Sequence, residues 1–165
     1  MNFEIYMGKA IEAIKNKGAF LTVKDKERLN TMTIGWANIG YQWKKPILTV
    51  MVRKSRYTYD IIENSKEFTV SIPLNVDVKQ ELITCGTKSY RDINKFKECN
   101  LKVQPSNKVV TPVIGNCDMH FECKILYKQE MDSEFLYDEI KESCYKNGDY
   151  HVFYYGEILD CYINQ

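Results

Sequence analysis

Short apolar runs rich in β-branched and aromatic residues, each closed by a turn signal, set the limits on what this chain can fold into. Pro46-Ile47-Leu48-Thr49-Val50-Met51-Val52 is a continuous run without alternation, which predicts a strand buried on both faces. Ala19 to Val23, Thr31 to Trp36 and Phe68 to Ile72 read as further strands, the last ended by Pro73. His120 to Tyr127 alternates Phe121, Cys123 and Ile125 against Glu122 and Lys124, the pattern of a half-buried strand. Tyr150 to Ile163 returns to strand, with Gly156 inside it as a bulge or a close approach. Helical spacing is confined to shorter stretches. Gly8 to Asn16 places Ala10, Ile11, Ala13 and Ile14 on one face, with Gly18 as the stop. Tyr57 to Asn64, Val78 to Ile83 and Asn94 to Cys99 read as short helices, and Phe135 to Tyr145 spaces Leu136, Ile140 and Cys144 four apart. Strands outnumber helices and do not alternate with them. That predicts a mainly β fold, a closed barrel with peripheral helices, over a doubly wound α/β sheet.

Size and charge narrow the function classes. At 165 residues the chain reads as one domain over 1–165, able to bury roughly 70% of its unfolded surface without a disulfide or metal staple. Lys+Arg 23 against Asp+Glu 22 leaves a charge of +1, which argues against a nucleic-acid partner needing a wide basic surface. No apolar run approaches the roughly 20 residues of a spanning helix, so no membrane partner is expected. Met1 to Lys9 lacks the basic and apolar regions of a leader. The six cysteines form no Cys-x-x-Cys pair and read as reduced thiols, mostly buried, in a cytoplasmic protein.

Several familiar sites are missing. Gly-x-Gly-x-x-Gly, a Walker loop and His-Glu-x-x-His do not occur. Cys117-x-x-His120 resembles half a zinc site without a second half, so no metal is expected. Four segments carry more information. Arg53-Lys54-Ser55-Arg56-Tyr57-Thr58 sits where a buried strand gives way to a helix; hydroxyls and guanidinium forks there suit a phosphate, or equally a capped helix with its arginines in solvent. Thr84-Cys85-Gly86-Thr87-Lys88-Ser89-Tyr90-Arg91-Asp92 again joins glycine, hydroxyls and cations, as a second anion loop or a plain surface loop. Asn30 to Trp36 is a polar-aromatic strand that suits the edge of a planar heterocycle, or buries its Trp in the core. His151 opens the last strand, as a site residue or a structural one.

Taken in order, these segments resemble the flavin reductase-like family, and within it the flavoredoxin branch. The likeness also takes in Trp43-Lys44-Lys45-Pro46, Phe68 to Pro73, and Asp149-Tyr150-His151 through Gly156-Glu157-Ile158, and so runs from about Gly18 to Tyr162. It implies a split β-barrel binding FMN non-covalently at a homodimer interface. By position, Arg53, Ser55, Arg56 and Thr58 fall around the phosphate and ribityl chain, and Lys88, Ser89 and Arg91 over the phosphate. Asn30, Thr31, Met32 and Thr33 fall along the isoalloxazine, with Trp36 nearby. His151 falls where relatives carry a Gly-Asp-His motif linked to nicotinamide binding, here with Tyr150 between Asp149 and His151. Tyr57, Tyr90, Tyr154 and Tyr155, four of the twelve tyrosines, lie in segments around the ring. The implied activity moves hydride or electrons from NADH or NADPH through FMN to free flavin or a redox protein. A flavoredoxin-type carrier without nicotinamide use, or a non-catalytic flavin-binding protein, fits the same residues. In each case FMN carries the chemistry, which explains the missing nucleophile and general base.

Overall fold

A computed structural model describes residues 3–164; Met1, Asn2 and Gln165, which bound the expected domain, lie outside the described residues. The chain opens with α1 (Phe3–Lys17), longer than its spacing predicts, which buries Phe3, Ala10, Ala13 and Ile14 and leaves Ile11 at the surface. Gly18 ends it at φ +90°, the left-handed conformation that favours glycine. β1 (Ala19–Lys24) and β2 (Leu29–Ile34) form a hairpin, followed by β3 (Ala37–Gln42) and β4 (Lys45–Arg53). Then come α2 (Tyr57–Ile62), β5 (Glu67–Ile72), α3 (Lys79–Thr87) and α4 (Lys95–Glu98). A two-stranded ribbon, β6 (Val103–Gln104) and β7 (Val113–Ile114), leads to β8 (Met119–Glu130), α5 (Asp138–Cys144) and β9 (His151–Ile163).

Seven strands join in the order β2-β1-β5-β8-β9-β4-β3, every pair antiparallel. The sheet wraps one core built from Leu21 and Val23, Leu48, Val50 and Val52, Phe68, Val70 and Ile72, Phe121, Val152 and Tyr154. β2 and β3 are joined through Gly35 and Trp36 yet share no ladder among the described residues, so the barrel is split along that side. A second apolar cluster of Phe20, Leu82, Cys85, Cys99, Leu101 and Ile114 seats α3 and α4 against the barrel. Gly156 marks a close approach: a Cβ there would lie 2.6 Å from Phe68 Cζ and 2.8 Å from Cys123 Cβ.

Three features depart from what the sequence predicts at this level. The helix expected to stop at Ile83 continues through Thr84-Cys85-Gly86-Thr87, because Gly86 lets it settle against β2, where a Cβ would lie 3.3 Å from Thr33 Cβ. Strand β3 has no counterpart among the expected strands, since Ala37–Gln42 is short of apolar residues and buries none of them. The helix expected over Phe135 to Tyr145 starts at Asp138, and it buries none of its own residues.

Candidate functional site

The split side of the barrel holds the segments that the sequence singled out. A cavity of about 190 Å³ is lined by Met32, Thr33, Ile34, Gly35, Trp36, Met51, Arg53, Arg56 and His151. A neighbouring cavity of about 110 Å³ is lined by Asn30, Met32, Thr33, Ser55, Arg56, Tyr57, Thr58, Cys85, Gly86, Lys88, Ser89, Tyr90, Arg91 and Lys95. Met32, Thr33 and Arg56 line both, so the two are halves of one cleft. A larger cavity of about 640 Å³ between α1 and α3 touches the cleft only at Thr33 and carries none of the cationic loop residues.

The smaller half is cationic. Arg56, Lys88, Arg91 and Lys95 face it, and no carboxylate lines it. Lys95, first residue of α4, is only 3% exposed; its Nζ donates to Thr31 O at 3.0 Å and Cys85 O at 2.9 Å. Burial lowers its pKa, Arg56 lowers it further, and Cys85 opposes both. Asn30, 1% exposed, donates from Nδ2 to Thr58 Oγ1 at 2.9 Å, while its Oδ1 is buried without a partner. Such an orphaned acceptor calls for a donor from outside the chain. Tyr57 and Tyr90 stack in parallel at 5.8 Å, and Arg91 lies 5.1 Å over the Tyr57 ring. Arg91 also pairs with Asp60 at 2.5 Å, an exposed contact of small energetic weight. A cluster of cations, the Ser89 hydroxyl and an unmet acceptor fit a phosphate followed by a polyol.

The wider half is aromatic. β4 and β9 place Arg53 opposite His151, and Trp36 lies 5.7 Å from the His151 ring. Trp36 is 49% exposed, so it is not a core residue. His151 Nδ1 lies 2.7 Å from Tyr145 Oη, and burial together with Arg53 pushes the imidazole down to about 4, so the ring is neutral at pH 7. Flat rings, Met32, Met51 and a neutral imidazole suit a planar heterocycle.

Two expected site residues are placed differently. Arg53 lines the aromatic half, not the phosphate-sized one. Its guanidinium donates to Asp149 O at 2.6 Å and Cys144 O at 3.0 Å and lies 4.9 Å over Tyr145, so it secures the loop before β9. Thr31 lies outside both cavities; it is fully buried, its hydroxyl donating to Leu21 O at 3.2 Å and accepting from Thr22 at 3.1 Å. Ser55 lines the cationic half, but its hydroxyl donates to Asp149 at 2.5 Å. It does not cap α2, whose N-cap is Arg56 without a side-chain bond. Asn30, Met32, Thr33, Trp36, Arg56, Thr58, Lys88, Ser89, Arg91 and His151 all line the cleft. Of the four tyrosines, Tyr57 and Tyr90 do so, whereas Tyr154 is core and bonds Glu63 at 2.7 Å. Tyr155 lies on the outer sheet face with Trp43 and Tyr127. Lys95 and Tyr145 were missed; only the Asn94 cap, which accepts from Lys97 N–H, signalled the helix that carries Lys95. At the Cys117-x-x-His120 pair, Ser71 and Asn164 engage both His120 nitrogens.

The flavin reductase like domain matches residues 12–165. The chain belongs to the flavin reductase-like family. An uncharacterised protein of Archaeoglobus fulgidus is 29% identical over 118 residues, 72% of this chain and 66% of that protein, so the match spans just under two thirds of that relative. The flavoredoxin of Desulfovibrio vulgaris (Miyazaki F) superposes with a TM-score of 0.69 at 24% identity, covering 90% of this chain and 69% of that one. A flavoredoxin from Methanosarcina acetivorans gives 0.69 at 25%, with the same coverage. The fold is the split barrel that these structures share. No helix among the described residues is long and apolar enough to cross a membrane.

Proposed function

We propose that the cleft binds one FMN, and that the protein is an FMN-dependent oxidoreductase taking electrons from NADH or NADPH and delivering them to free flavin or a protein acceptor. The observation that carries this reading is the division of one cleft into a cationic half and an aromatic half that share Met32, Thr33 and Arg56. Arg56, Lys88, Ser89 and Arg91 hold the phosphate. Asn30 Oδ1 accepts from a ribityl hydroxyl, which satisfies its buried lone pairs. Trp36, Met51 and His151 border the ring. FMN supplies hydride and single-electron transfer when bound, so the chain's own task is to bind, orient and leave the ring accessible.

The functional unit is a single domain over residues 1–165, acting as a homodimer. Trp43 lies 6.1 Å from Tyr127 and 6.0 Å from Tyr155, and Phe153 continues the patch, so an aromatic face covers part of the outer sheet. Trp43 and Tyr127 are about half exposed in one chain, and a second copy covers them. All six cysteines are unpaired, five of them buried, which suits the reducing cytoplasm.

The flavoredoxin likeness favours a second reading, an electron carrier that exchanges electrons with redox proteins without using a nicotinamide. Anaerobic mixing of the FMN-loaded protein with NADH or NADPH separates the two. Rapid bleaching of the flavin band is the expected outcome. A band unchanged by either nicotinamide, but bleached by a reduced redox protein, overturns the reductase reading in favour of the carrier.

A further inference from the structure

His151 is held from one side only. Its Nδ1 lies 2.7 Å from Tyr145 Oη, whereas its Nε2 has no hydrogen-bond partner among the described residues and the ring lines the aromatic half of the cleft. Tyr145 is 5% exposed, and His151 is the sole hydrogen-bond partner of its hydroxyl among the described residues. If the imidazole donated from Nδ1, the phenol proton would be left buried without an acceptor, which is the costlier arrangement. If the phenol donates to Nδ1, both groups are satisfied and the imidazole proton resides on Nε2, across the ring from Tyr145. Burial keeps the phenol protonated against the opposing pull of Arg53. Arg53, 4.9 Å over the Tyr145 ring, also ties down the carbonyls of Cys144 and Asp149 on either side of it. Tyr150 stacks on Tyr145 at 5.0 Å. The phenol is therefore fixed in place before any ligand arrives.

We propose that Tyr145 is a positioning residue that holds His151 in its Nε2–H form, giving the aromatic half of the cleft one fixed donor for an amide-type carbonyl oxygen of the ligand. This rests on the flavin reading only for the ligand; the tautomer is a property of the chain alone. The charged groups around His151 are Arg53 from β4, Arg56 before α2 and Asp149 from the loop before β9. The two arginines disfavour a charged imidazole and Asp149 favours it, and with burial the balance leaves the ring neutral at pH 7. A neutral donor suits a carbonyl, either of the flavin or of a nicotinamide carboxamide.

His120 supplies an internal reference. It is buried away from the cleft, with its Nδ1 3.0 Å from Ser71 Oγ and its Nε2 3.1 Å from Asn164 Nδ2. Long-range proton–nitrogen spectra of the ¹⁵N-labelled protein at pH 7 read the tautomer of each ring directly. The expected result is His151 protonated at Nε2. In Tyr145→Phe, His120 keeps its form and reports an intact barrel, while His151 becomes a mixture of tautomers. Its pKa rises by about half a unit to one unit, since a hydrogen bond to the neutral form is gone. His151 protonated at Nδ1 in the unmutated protein, or an unaltered tautomer in Tyr145→Phe, overturns the proposal; the first result needs no variant to fold. Adding FMN alone, then FMN with oxidised NAD, identifies the acceptor. A shift of the His151 Nε2 proton at the first step assigns the flavin carbonyl, and a shift only at the second assigns the carboxamide. No shift at either step overturns the donor role. Failure of the protein to bind FMN at all sinks the flavin reading and leaves the tautomer result standing.

Discussion

Arg53 and Arg56 are three residues apart and are placed for different tasks. Arg53 engages Cys144 O and Asp149 O and stacks on Tyr145, whereas Arg56 makes one long contact, 3.5 Å to Gly86 O, and faces both halves of the cleft. Arg56→Ala therefore weakens FMN about tenfold to hundredfold, the worth of one charge-assisted contact, and leaves riboflavin nearly unaffected. Arg53→Ala releases the loop before β9 and weakens FMN and riboflavin alike. Flavin-fluorescence titration of both ligands checks this; the reverse pattern would return Arg53 to the phosphate. The sequence marked both arginines as cations beside a turn, and only the fold separates their partners. Lys95 was not legible at all. Its type is that of a surface residue, and it lies under β2 because the Asn94 cap starts α4 beneath the carbonyls of Thr31 and Cys85.

At the level of elements, hydrophobic period was the readable quantity. The inner strands β4, β5 and β9 lie close to where their apolar runs place them, because a one-residue slip would expose the core face. β3 was unreadable for a specific reason. The tight turn joining it to β4 places Trp43 at φ 53° and Lys44 at φ 59°, a left-handed pair for which Asn-Gly is the usual sequence signal. In α5 the spacing of a helix is present, but Ile140 is 43% exposed and nothing among the described residues covers it. Sequence period reports which face is apolar, not what it meets. The outer aromatic face of β8 and β9 yields a prediction at this scale. Light scattering reads two chains per particle, and Tyr127→Glu, which sets a charge between Trp43 and Tyr155, reads one chain with an unchanged circular dichroism spectrum. A single chain per particle in the unmutated protein contradicts the dimer.

Across the whole molecule, a formal charge of +1 conceals a strong local asymmetry. Four cations face one small cavity without a lining carboxylate, beside a neutral aromatic cavity that shares three of its residues. The mainly β architecture was legible from the order of its runs. The cleft was legible only as separate segments, since its closure depends on β2, the α2 turn and α3 meeting across the split side of the barrel. On the proposed reading a nucleotide-like flavin uses both halves, and riboflavin, which lacks the phosphate, uses one. The direct measurement is a parallel titration of the FMN-free protein with FMN and riboflavin at low ionic strength. FMN binding at least tenfold tighter than riboflavin, with the difference shrinking as salt rises, is the result the account predicts. Equal affinity for the two, or no binding of FMN, would contradict it.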